Sequence, residues 1–189
     1  MVKQLLIRGD DLGYSEGVTL GMLSAYEKGI VNSMAIMINM PYAKEAILLA
    51  KKHKGLCLGL HVNVTNGKAL APIDQIPTLV DENGVFISSR FRREQLIKGE
   101  VLFNEDEAYL EAKYQIERYI DWVGQLPEYI DLHVLEVPEL INAVLRVYQE
   151  YQVPVCIYDK CFDKSIHEQA MKQYEYYQQH NNHFEDMFI

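Results

Sequence analysis

The stretch Gln4-Leu5-Leu6-Ile7-Arg8-Gly9-Asp10-Asp11-Leu12-Gly13-Tyr14-Ser15-Glu16-Gly17-Val18 decides the fold. The apolar run over residues 4–8 predicts a short strand, and Gly9-Asp10-Asp11 follows it. Ser15 is placed to cap a helix reaching about residue 28, and Gly29 suits its end. The same unit then recurs. Residues 33–38 (Ser-Met-Ala-Ile-Met-Ile) predict a buried strand, broken by Asn39-Met40-Pro41. Ala43, Ala46, Ile47 and Ala50 mark one face of the next helix, with Gly55 at its end. Residues 56–64 predict a third strand, with His61 near its C-terminal end.

A long connection spans residues 65–104, with Pro72, Pro77 and an Asp81-Glu82-Asn83-Gly84 turn. A connection of this length carries local structure or function, and residues 72–104 are expected over the site. Beyond it the sequence predicts a helix over 105–123, a strand over 129–135, a helix over 139–151 and a strand over 154–158. Alternating strands and helices imply an α/β fold with a mainly parallel sheet and right-handed crossovers. Sites in such folds lie at the C-terminal ends of the strands. Asp10, Asp11, Asn39, His61 and His133 all fall at that end.

The 189 residues suit a single domain over 1–189, and a hydrophobic share of 49% supports a sizeable core. A net charge of −9 argues against nucleic acid and anionic membrane as partners, since both require a basic face. The N-terminal apolar run is too short for a signal peptide, and no stretch has the length of a membrane span. Cys57, Cys156 and Cys161 form no CxxC pair and are read as free thiols of a cytoplasmic protein.

Adjacent carboxylates beyond a strand point in different directions. One of Asp10 and Asp11 can hold a metal ion while the other takes a proton; the plainer reading is a solvated turn capping the next helix. His61 lies in an apolar run, where a hydrogen-bonded core histidine is the commoner case. Asp131 and His133 share a strand face, so the carboxylate is expected to orient that ring. Asp11, His61 and His133 together make a two-histidine, one-carboxylate set suited to a catalytic divalent ion. His53, His167, His180 and His183 are read as surface residues.

Residues 7–18 resemble the opening of the YdjC-like carbohydrate deacetylases, which typically read N-A-D-D-F-G. The likeness continues through Gly29-Ile30-Val31-Asn32-Ser33, Met37-Ile38-Asn39-Met40-Pro41, residues 59–68 and residues 77–86. The resemblance implies an incomplete (β/α) barrel. It also implies metal-dependent removal of acetyl groups from N-acetylated sugars such as chitooligosaccharides. By that likeness Asp10 is the general base, and Asp11, His61 and His133 hold one divalent ion, Mg or Zn. Asp131 stands behind the ligands, and Asn39 contacts substrate.

The second half departs from the family pattern. Its fourth-strand motif, close to H-x-D-S-H-H-H-V-H, appears here as Tyr129-Ile130-Asp131-Leu132-His133-Val134-Leu135-Glu136. Counting from Asp131 matches His133 to the first histidine of the triplet, and counting back from Pro138 matches it to the third. The first register keeps D-x-H. The family's arginine after the fifth strand is replaced by Ile157-Tyr158-Asp159-Lys160, and the C-terminal half is shortened. Two alternatives to an active deacetylase follow. One is a weak or inactive relative that binds sugar or metal; the other is a truncated barrel stabilised by homo-oligomerisation or by the tail around Tyr174, Tyr176 and Tyr177.

Overall fold

The computed structural model describes residues 7–156. Four strands form one sheet: β1 (Arg8–Leu12), β2 (Ser33–Ile36), β3 (Cys57–Val62) and β4 (Ile130–Leu132). They lie in chain order, and every neighbouring pair is parallel. Among the described residues the sheet stays open. A single parallel bridge joins Ile130 to Val155, where a fifth strand is expected. The rest of that expected strand, residues 157 and 158, lies outside the described residues, as do the Tyr-rich tail, Cys161, His167, His180 and His183.

Among the described residues five α-helices connect or cover the strands: α1 (Glu16–Lys28), α2 (Ala43–Ala50), α3 (Ser89–Ile97), α4 (Glu105–Val123) and α5 (Pro138–Tyr151). Their ends follow local chemistry. Ser15 Oγ accepts the Val18 N–H at the start of α1. Asn104 Oδ1 accepts the Asp106 and Glu107 N–H groups, and three acidic residues fill the first turn of α4. Gly124, at φ +86, ends α4 in the left-handed conformation that favours glycine.

On α4, Ala108, Ala112, Ile116 and Tyr119 form an inaccessible stripe and pack with Ile141, Val144 and Val147 of α5 in one core. Gly59 permits close approach within the sheet, since a Cβ there would sit 2.4 Å from Cζ of Tyr129. The Tyr129 hydroxyl instead reaches Ser33 Oγ at 2.8 Å. Among the described residues no helix is long and apolar enough to cross a membrane.

One boundary differs in a way that matters. β1 runs four residues further along the chain than its apolar run suggests, so Asp10 and Asp11 lie within the strand, not beyond it. Residues 1–6 lie outside the description.

Candidate metal centre

Asp10 and Asp11 occupy a β-bulge. Gly9 pairs with Met34 and Leu12 with Ile36, so β1 carries one more residue than β2 over the same interval. The bulge leaves Asp11 at φ +68, a region that aspartate visits more readily than most residues. Successive strand residues normally point to opposite faces. A bulge re-aims them, and here both carboxylates open on one cavity.

His61 comes from β3 and pairs in register with Asp131 of β4, so the two side chains share a face. His133 follows β4 directly. Its N–H donates to the Val62 carbonyl at 2.9 Å, which carries the pairing one step past the strand. The chain then reverses at Val134, at φ +67, and the Leu135 N–H donates to the His133 carbonyl at 2.8 Å. That three-residue bond around a positive φ has the pattern of a γ-turn of the rare, strained kind. It sends the chain away and leaves the His133 ring facing the cavity.

Three donor atoms converge. Asp11 Oδ1 lies 2.9 Å from His133 Nδ1 and 3.3 Å from His61 Nε2. The two ring nitrogens are 3.2 Å apart. Donors bound about 2.0–2.2 Å from a common ion lie roughly 3–3.5 Å from one another. The Asp11 oxygen is buried against both rings yet receives no aligned N–H bond. A triangle of lone-pair donors around an orphaned carboxylate oxygen fits a divalent cation.

Burial opposes charge on His61, but its contacts with the Asp11 and Asp131 carboxylates outweigh that and raise its pKa to about 9. The same His133 and His61 rings hold the Asp11 carboxyl well below the usual carboxylate range. Asp131 is fully buried, with Oδ1 2.8 Å from His61 Nδ1. Its Oδ2 meets Arg8 Nη1 at 2.6 Å, a short ion pair without hydrogen-bond alignment. Asp131 therefore orients His61, not His133 as the shared strand face suggested. His133 lies past the end of β4, so the period of two does not govern it.

Asn66 is the group that meets the second nitrogen of His133, with its amide nitrogen Nδ2 2.9 Å from Nε2. For His133 to present Nδ1 to an ion, Nε2 must carry the proton, and the Asn66 amide must turn over so that its oxygen accepts from it. Asn39, expected to contact substrate, is spent on architecture. Its amide donates to the carbonyls of Asn66 and Lys68 and accepts from Asn63, so it braces the loop that carries Asn66. His53 stands apart from the site, 3.6 Å from Glu27.

The cavity has a volume of about 560 Å³. Asp10, Asp11, His61 and His133 line it, and the long connection contributes Arg93 and Leu96 from α3. Sequence reasoning did not single out Arg8, Asn66, Arg93 or Leu96. Arg8 at the strand start carried the only legible signal, a charge closing an apolar run.

Comparison with known proteins follows the same lines. The model of the family described as YdjC-like protein matches residues 4–189. A carbohydrate deacetylase of Geobacillus stearothermophilus is 35% identical over 159 residues, which are 82% of this chain and 60% of that protein. Carbohydrate deacetylase 2 of Listeria innocua is 31% identical over 159 residues, covering 82% of this chain and 61% of its own. A chitooligosaccharide deacetylase of Serratia marcescens is 35% identical over 133 residues, 70% of this chain and 50% of that one. The chain thus spans about 60% or less of the length of these relatives. A crystal structure from Enterococcus faecalis V583, of a protein provisionally named for cellobiose-phosphate cleavage, superposes with a TM-score of 0.78 at 29% identity, covering 90% of this chain and 65% of that one.

Proposed function

The chain belongs to the YdjC-like family, and from that premise we propose that it is a metal-dependent hydrolase removing acetyl groups from N-acetylated sugars. The observation that carries this reading is the triangle of Asp11 Oδ1, His61 Nε2 and His133 Nδ1 at the floor of a cavity that Asp10 also lines. The relatives named carbohydrate and chitooligosaccharide deacetylases support the substrate class.

Asp11, His61 and His133 would hold one Mg or Zn ion, which would supply the Lewis acidity needed to polarise an amide carbonyl. The protein's own groups do the rest. Asp131 keeps the His61 proton on Nδ1, leaving the Nε2 lone pair for the ligand position. Asp10 lines the cavity and takes the proton of the attacking water, whereas Asp131 is enclosed. Leu96, Leu132 and Leu135 give the cavity apolar walls that exclude water from the reacting amide. In this proposal residues 1–189 are one domain that works in the cytoplasm on acetylated amino sugars.

The test is metal content and acetate release together. Protein purified without chelator should carry one divalent ion per chain and release acetate from acetylated chito-oligosaccharides. His61→Ala should lose both. Equal metal in wild type and His61→Ala would refute the site; bound metal without acetate release from any acetylated amino sugar would refute the reaction.

A further inference from the structure

A second set of donors sits beside the first. Ligand atoms of Asp10, His61 and Asp131 lie within 4.8 Å of one another, as do those of Asp11, His61 and His133. The two sets share His61, whose Nε2 faces the first set and whose Nδ1 faces the second. By composition alone the set with two carboxylates would be the better seat for a hard cation.

A fixed cation already sits among these carboxylates. Arg8 Nε lies 2.6 Å from Asp10 Oδ1 and donates to it, and Nη2 donates to Asp10 Oδ2 at 3.2 Å. Nη1 lies 2.6 Å from Asp131 Oδ2. The side chain is only 12% exposed, and its guanidinium lies 5.9 Å from the centroid of the Tyr129 ring. Guanidinium keeps its charge at all working pH values, and its planar fork suits two oxygens of one carboxylate.

We propose that Arg8 is a positioning residue with two effects: its fork fixes Asp10 at the cavity wall, and its charge keeps divalent ions out of the Asp10–His61–Asp131 set. Asp10 is 41% exposed, so without the fork its side chain would sample several rotamers. A carboxylate held in one orientation loses no freedom when it takes a proton. Exclusion works by occupancy, since a divalent ion bridging Asp10 and Asp131 would need the space the guanidinium fills. One ion is thereby confined to the Asp11–His61–His133 triangle. The kinetic part rests on the deacetylase reading; the stoichiometric part does not.

The experiment compares wild type, Arg8→Lys and Arg8→Gln by calorimetric titration with Zn²⁺ and by steady-state acetate release. Wild type should bind one equivalent, and Arg8→Gln should gain a second. The kcat of both variants should fall roughly 10–100-fold, the usual effect of removing an outer partner of a metal site. KM should hardly move. Arg8→Lys should keep one equivalent, because an ammonium still neutralises the carboxylates without forking Asp10. Arg8→Gln leaves buried Asp131 uncompensated; if it does not fold, the lowered kcat of Arg8→Lys at unchanged stoichiometry carries the test. Arg8→Gln with one equivalent and wild-type kcat overturns the proposal, as does Arg8→Lys with wild-type kcat. Wild type that binds Zn²⁺ but releases no acetate overturns the deacetylase reading alone, and the Arg8→Gln stoichiometry then decides the role of Arg8.

Discussion

Two regions of this chain obey different rules. Along α4 most local preferences agree with the final structure: small and branched apolar residues at helical spacing, an asparagine cap, acids in the first turn and a left-handed glycine at the end. At the strand ends the preferences are overridden. Asp11 and Val134 adopt positive φ, a fully buried carboxylate faces a histidine, and a strand carries an extra residue. Backbone strain costs of order 1–3 kcal/mol per residue and persists only when its surroundings enforce it. Departures from local consistency gather where function is expected, and consistent regions hold them in place.

The largest effect that would test this contrast is chemical. Asp10→Asn should lower acetate release roughly 10²–10⁴-fold while metal content and melting temperature stay near wild type. Full activity with bound metal would remove Asp10 from the site. Ile116→Ala should do the reverse. Fully buried in the core that α4 and α5 share, it should cost about 2–5 kcal/mol in denaturant unfolding, with Zn²⁺ stoichiometry intact in the folded fraction. Loss of metal binding in that folded fraction would show that the two regions are not separable.

Glu111 tests the border between them. It is fully buried on α4 and accepts the N–H groups of Leu70 and Ala71 and the Gln115 amide. Burial pushes its carboxyl from the ordinary 4.5 up to about 7. The folded chain therefore holds this proton after the unfolded chain has lost it. Stability from this group is greatest in acid, falls as pH rises between about 4.5 and 7, and is flat above that. The whole change is roughly 3 kcal/mol. Urea unfolding of wild type and Glu111→Gln at several pH values should give curves that diverge across this window. Parallel curves would assign the buried group an ordinary pKa.

The smallest effect concerns strain itself. Val134 is branched at Cβ and sits at φ +67, where glycine is at ease. Val134→Gly should raise stability by roughly 1 kcal/mol, the relieved strain exceeding the entropy that glycine adds to the unfolded chain. Thermal melts decide it, and a lowered midpoint would mean that the turn after His133 is unstrained.

Much of the fold was legible. The helix expected over residues 105–123 is present with those bounds, because its stripe, cap and stop are all local. The strands were placed with less accuracy, since a buried parallel strand reads as an apolar run whose ends are set by its neighbours. For β1 that mattered: Asp10 and Asp11 were placed just beyond the strand and are part of its bulge. Asn39 was read as a substrate contact because it follows a strand, a rule that places the residue without saying where its amide bonds.

The sequence by itself determined the alternation of strands and helices, the end of the sheet where Asp10, Asp11, His61 and His133 meet, and the helix caps. These depend on periodicity and on chemistry within a few residues. Only the tertiary structure decided which groups touch: Arg8 on Asp10 and Asp131, Asp131 on His61, and Asn66 on His133. Most of these contacts join residues about 70 to 120 positions apart. Their partners are set by strand register, by one extra residue in β1 and by one reversed turn at Val134, none of which leaves a local mark in the amino-acid order.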